Sequence, residues 1–353
     1  MLMMRLLIFL LLFPCLLGAQ KMELVFCTDL SGSTNGLIRQ FNNDFYAFLN
    51  SMPKEKSLKI GLVAYGRTNF AKKEGYTKEI SPLTKRYDAL VYSLLQLRET
   101  TEGANAYIDN ALSRAINNSL WSKDTAVQKE IVLIGNGGFR AKRMLRLLKI
   151  AKENRLNVRA IYYKTYNAPK EIALWQKTME KAGVSFVIAG NQLNSITFIK
   201  NYDPVWLVNT VNKLSDTYIY YGKDGKANFE MMDSIDHHLR RIGDIAYEER
   251  LIFKCSSLFQ GVNAHWDLVD LYNNGKLDLN KIDKTSLPEF LQGFDDEQLK
   301  KFIILKSEHR KQLLGQVVLE QETIDAYHQR KQMKAEQFLN DKTLGVLWLQ
   351  WFD

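Results

Sequence analysis

Met22-Glu-Leu-Val-Phe-Cys-Thr-Asp-Leu-Ser-Gly-Ser-Thr34 begins as an apolar run and ends in a cluster of small oxygen-bearing side chains. Leu24 to Cys27 carry no polar interruption, the pattern of a strand covered on both faces in a parallel sheet. Asp29, Ser31 and Ser33 then alternate with Leu30 and Gly32, and Leu37, Ile38, Phe41, Phe45, Phe48 and Leu49 follow at helical spacing. The stretch predicts three oxygen ligands between a strand's carboxyl end and a helix's amino end. In open α/β sheets that crevice is where ligands bind. Hydroxyls, a carboxylate and water suit a hard cation such as magnesium, which keeps waters and a position for an outside oxygen. Short Asp/Ser/Gly strings also form Asx turns and helix caps, so the spacing alone admits a purely local role.

Working outward, Leu58-Lys-Ile-Gly-Leu-Val-Ala-Tyr65 is a second strand pattern that breaks at Gly66-Arg-Thr-Asn69. Ile80-Ser-Pro-Leu-Thr84 leads into a helix carrying Tyr87, Leu90, Val91, Leu94 and Leu95. Thr100 to Ala106 is a small-residue loop ahead of a helix from Ile108, and Glu130-Ile-Val-Leu-Ile-Gly-Asn-Gly-Gly138 is a strand breaking into glycines. A helix over 140–154, strand 158–163, helix 169–182 and strand 184–188 complete an alternation that predicts a doubly wound, mostly parallel α/β sheet. Gly135-Asn-Gly137 starts a dinucleotide fingerprint, but the third glycine position holds Arg140 and no acidic ribose partner follows about 20 residues on. A nicotinamide or flavin dinucleotide site is thereby excluded.

Asp29-x-Ser31-x-Ser33 resembles the metal-ion-dependent adhesion site of the von Willebrand factor type A domain, a doubly wound sheet with the metal at its top. Gly61-Leu-Val-Ala-Tyr65, Pro82-Leu-Thr84, Ala111-Leu112, and Trp121 ahead of Lys129-Glu-Ile-Val-Leu-Ile134 are similar to an exported bacterial branch of that family. The likeness covers about residues 22 to 200. It implies Mg2+ or Mn2+ at Asp29, Ser31, Ser33 and position 136, and a protein partner whose Asp or Glu carboxylate completes the coordination. Two departures weaken the site. Asn136 stands where the family has an aspartate, and the middle loop, normally threonine or acidic, offers only Thr100, Thr101 or Asn105 around Gly103-Ala104. Each missing carboxylate lowers affinity for a divalent ion. A metal-independent structural or scaffold role in the cell envelope is the alternative.

Residues 1–20 have one charge, Arg5, a Leu/Phe-rich centre and a Leu17-Gly18-Ala19 end, the layout of a signal peptide. The expectation is an exported protein, periplasmic or secreted, with no transmembrane segment in the mature chain. Removing Arg5 takes the formal net charge from +9 to +8 (9 − 1). No run of five basic residues points to nucleic acid. Cys27 and Cys255 are expected as unpaired buried thiols, Cys27 lying inside the first strand.

The domains expected are residues 21–216 for the sheet, its last helix (Trp206, Leu207, Val208, Val211, Leu214) packing back on it, and 217–353 for a mainly α-helical module of about five helices. His265-Trp-Asp-Leu-Val-Asp270 and Leu287-Pro288 are similar to the tail of the same branch. Asp270 to Gly275 fails as a calcium loop, with Tyr272 at a ligand position and Lys281 twelfth. His237 and His238 are adjacent and cannot chelate together on a helix. Leu299 to Tyr327 suggests a helical hairpin seam within 297–340, and Trp348, Leu349, Trp351 and Phe352 form either a core plug or a docking tail. No Gly-x-Ser-x-Gly elbow, His-Glu-x-x-His or Cys/His pair is present, so no enzyme is expected.

Overall fold

In a computed structural model of the protein the described residues are 21–52, 57–97, 107–117, 121–190, 203–329 and 351. The elements of the first half are β1 (Lys21–Asp29), α1 (Leu37–Ser51), β2 (Ser57–Tyr65), β3 (Thr77–Thr84), α2 (Tyr87–Leu95), α3 (Ile108–Ile116), β4 (Gln128–Gly135), α4 (Ala141–Glu153), β5 (Asn157–Lys164), α5 (Pro169–Ala182) and β6 (Ser185–Gly190). They form one six-stranded sheet in the order β3-β2-β1-β4-β5-β6. All neighbours run parallel except β3, which is antiparallel to β2. Sequence reading passes over β3 because Ser81 and Pro82 interrupt it. An edge strand tolerates the missing donor of proline, and the register shifts between β2 and β3 beside it.

β1 lies at the centre with every residue after Lys21 buried. Alternation divides its side chains: Leu24 and Phe26 join α1 and α2 in one core, while Val25 and Cys27 join α3, α4 and α5 in the other. The strand order reverses direction between β1 and β4. Their carboxyl ends, at Asp29 and Gly135, therefore border a topological switch point.

The second half contains α6 (Pro204–Ser215), α7 (Gly225–Ile242), α8 (Asp244–Lys254), α9 (Leu268–Asn273) and α10 (Asp296–Gln329), with three short 3-10 turns between Leu279 and Leu291. Residues 274–295 are thus turn-rich rather than helical, and α10 is one continuous helix through Gln329 where a hairpin was expected. α6 does not pack back on the sheet: Leu207 and Val211 meet Tyr247 and Leu251 of α8. The sheet's helical layer is instead extended by α7 and α8. Met232, Ile235, Leu239 and Phe253 belong to the same buried cluster as Phe26 and Phe45. Phe253 sits edge-on to Tyr87, 5.6 Å between ring centroids, and 5.2 Å from Tyr46. Buried packing among the described residues thus continues across residue 216.

Buried charge ties the halves. Arg250 of α8, fully buried, donates to both oxygens of Asp88 in α2 at 2.7 and 2.8 Å and to Asp236 of α7 at 2.9 Å; Lys254 reaches Asp236 at 2.7 Å. Burial opposes ionisation of Asp236, yet Lys254 and Arg250 hold its carboxyl below the ordinary value. Farther on, Arg310 of α10 bridges Asp267 and Asp270 at 2.7 Å each, which occupies the carboxylate of the failed calcium loop. Trp351 is half-buried against the sheet's core, 5.5 Å from the Arg159 guanidinium, while Trp348, Leu349 and Phe352 lie outside the described residues. The two cysteines among the described residues are free, Cys27 buried and Cys255 partly so.

Candidate metal centre

The loop after β1 is built by local bonds. The Asp29 carboxylate accepts from the Ser31 N–H at 2.8 Å, an Asx turn, and the Thr34 hydroxyl closes the following 3-10 turn on the Ser31 carbonyl at 2.8 Å. The Leu30 N–H donates to the Tyr65 carbonyl at 2.9 Å and pins the loop to the end of β2. Two glycines are required around Asp29. A side chain at Gly135 would place its Cβ 2.0 Å from the Tyr65 hydroxyl and 3.0 Å from Asp29 Oδ2, and one at Gly66, whose φ is +88°, would meet Asp29 Oδ1 at 2.6 Å.

Asp29, Ser31, Ser33 and Asn136 come together. Ser31 Oγ and Ser33 Oγ are 2.9 Å apart, and the Ser33 hydroxyl donates to Asn136 Oδ1 at 2.7 Å. Asn136 Nδ2 donates to the Ser33 carbonyl at 2.6 Å and to the Thr165 hydroxyl at 3.1 Å, and Thr165 in turn donates to the Ser33 carbonyl at 2.5 Å. Thr165, just beyond β5, and Tyr65, whose hydroxyl donates to the Ile134 carbonyl at 2.9 Å, were not singled out from sequence. The only signal available was their place at strand carboxyl ends. Thr100, Thr101 and Asn105 lie outside the described residues.

Burial pushes the Asp29 carboxyl up to about 6, against hydrogen bonds chiefly from Ser31 that favour the ionised form. No cation among the described residues offsets that charge. The donor set is hard: two hydroxyls, one carboxylate and an amide. The 2.9 Å between the serine oxygens equals the cis edge of an octahedron with magnesium–oxygen bonds of about 2.05 Å, about 2.9 Å. Donor type suits a hard divalent cation such as magnesium or manganese, with one formal negative charge to hold it. Among the described residues no three His, Cys, Asp or Glu side chains cluster as a metal site, so any ion here rests on hydroxyls.

The architecture is a doubly wound, mostly parallel six-stranded sheet, the fold class expected from the sequence. No protein-family model and no curated protein matches the chain. Among solved structures it is similar to the conserved hypothetical protein BatB from Bacteroides thetaiotaomicron, at 14% identity over 48% of this chain and 91% of that one, with a TM-score of 0.38. The SpRpn10 VWA domain is 16% identical over 50% and 91%, with a TM-score of 0.39. Manganese-loaded TRAP protein of Plasmodium vivax is 15% identical over 49% and 70%, with a TM-score of 0.34. Strand order and site geometry stand independently of these distant likenesses.

Proposed function

We propose that the chain is a non-catalytic, exported binding protein that recruits a protein partner at the β1/β4 crevice, using a magnesium or manganese ion held by Ser31, Ser33 and Asp29. One observation carries the reading. Asp29 is 2% exposed and has no basic partner among the described residues, and the loop it anchors sets the Ser31 and Ser33 hydroxyl oxygens 2.9 Å apart. A buried carboxylate that has hydrogen bonds but no counter-charge is costly to ionise, and a divalent cation supplies that charge. When bound, such an ion offers an open position to an Asp or Glu carboxylate of the partner. The chain's own residues do the rest: Asn136 and Thr165 fix the Ser33 backbone, Gly66 and Gly135 leave room for Asp29, and Tyr65 anchors the end of β4. With neutral Asn136 at the site, a free ion is held weakly and an incoming carboxylate strengthens its retention; the coupling is reciprocal. No helix among the described residues is long and apolar enough to cross a membrane, and residues 1–20 supply the export signal in this reading.

A second reading has its own support. The Ser33, Asn136 and Thr165 bonds close on one another without an ion, as a metal-independent envelope scaffold would need. Capture from envelope extract separates the two. The metal reading expects a partner lost with Asp29→Ala and with chelator while the far-ultraviolet spectrum is unchanged. Capture indifferent to both would favour the scaffold.

A further inference from the structure

Beside the crevice, at the same end of the sheet, a cavity of about 360 Å³ opens between α1, α2 and α7. Arg39 from the first turn of α1 and Arg241 from the last turn of α7 project into its lining, with Asn42 one turn below Arg39. Both arginines are exposed, and neither forms an ion pair among the described residues. Asn42 is only 8% exposed, and its side-chain oxygen has no hydrogen-bond partner. It is one of several buried polar atoms of α1 without a hydrogen-bond partner, and it lines this cavity, where a ligand can reach it. Leu95, Leu97 and Ile242 supply an apolar wall, and no acidic residue lines the cavity among the described residues. Two unpaired guanidinium groups, an unmet amide and an apolar wall are complementary to a carboxylate on a short aliphatic stem.

Arg39 follows Ser33 by six residues, so their Cα atoms lie within about 21 Å, the reach of six extended residues. We infer that this cavity is a second acidic-side-chain pocket, and that the partner presents two Asp or Glu residues on one extended segment, one to the metal centre and one to Arg39, Asn42 and Arg241. The inference rests on the proposed function for the first of these contacts and stands on the cavity alone for the second. Linking two weak contacts raises the effective concentration of each. Charge complementarity favours a protein segment over a free anion, because the apolar wall gives inorganic phosphate nothing to cover.

The test uses the full mature chain and two fluorescent Gly/Ser peptides, one with a single Asp and one with a second Asp six residues on, in manganese and in chelator. The two-acid peptide is expected to bind at least about tenfold tighter than the one-acid peptide. That advantage should vanish in the Arg39→Ala/Arg241→Ala variant while one-acid binding stays. Both arginines are exposed and unpaired, so the variant should fold, which circular dichroism checks. In chelator, failure of the metal reading shows as one-acid binding that does not change. Failure of the pocket shows as two peptides of equal affinity, or as a two-acid advantage that survives the double variant. Binding of anionic phospholipid vesicles, or of millimolar phosphate, that depends on these arginines while the peptides do not bind would also overturn the proposal.

Discussion

Replacing Arg250 by alanine tests whether the sheet and the helical region share one core. Its guanidinium is fully buried, forks onto both oxygens of Asp88, bonds Asp236 and lies 5.1 Å from the rings of Tyr46 and Phe259. Removing one partner of a buried ion pair costs about 3–5 kcal/mol, because the other charge stays buried and unmet. Here Asp236 keeps Lys254 at 2.7 Å, and the Asp88 side chain is 11% exposed, so water relieves part of its loss. The lower end, about 3 kcal/mol, is the expected cost. With a urea slope of about 3 kcal/mol per molar, the midpoint should fall by about 1 M. Urea unfolding followed by far-ultraviolet circular dichroism and by tryptophan fluorescence should give one coincident transition in wild type and variant. Asp88→Asn combined with Arg250→Ala should cost less than the sum of the single changes, since the unmet charge is gone. A loss under about 1 kcal/mol, or two separate transitions of which only one moves, would refute the shared core. A fragment of residues 21–216, which leaves Phe26, Phe45 and Tyr87 without Phe253 and Leu239, would then fold alone.

Gly135→Ala places a methyl group against the Tyr65 hydroxyl and Asp29. It should cost about 1–3 kcal/mol in chemical denaturation and abolish manganese binding; a neutral outcome would mean that β4 has room to move. Asn136→Asp loses the amide bonds to the Ser33 carbonyl and Thr165, so metal-free protein should lose about 1–3 kcal/mol. Thermal melts should recover that loss in manganese, with tighter metal binding than wild type; a variant unaffected by manganese would contradict the site. Burial pushes the Cys255 thiol up to about 12 and the Cys27 thiol higher. At pH 8 the Cys255 thiolate fraction is then about one part in 10⁴, so maleimide labelling of native protein should be slow and rise about tenfold per pH unit up to pH 9. Labelling of either cysteine that levels off below pH 9 would contradict those environments.

The fold was legible where one feature of the sequence has one physical consequence. Leu24 to Cys27 lack polar residues because both faces of β1 are covered, and Asp29, Ser31 and Ser33 share one loop, so one short stretch holds three of the candidate residues. Asn136 was placed only through the resemblance of the loop after β4 to the last metal-site loop of a known family. What stayed hidden depends on partners distant in sequence. Thr165 is one hydroxyl 132 positions from Ser33, and Arg250 and Asp88 are 162 apart, without a local pattern to announce either pairing. β3 was hidden by a proline that an edge strand accepts. The amphipathic face of α6 was visible, but amphipathicity states that a face is buried and not against what, and α8 rather than the sheet receives it.

Titrating the metal-free protein with manganese, by calorimetry and in parallel by the paramagnetic signal of the free ion, decides whether an ion binds at Asp29. One weak saturable site is expected in the wild type, lost in Asp29→Ala and in Ser31→Ala/Ser33→Ala, and strengthened by a carboxylate-bearing peptide. Absence of saturable binding, or binding that persists in both variants, would contradict this expectation.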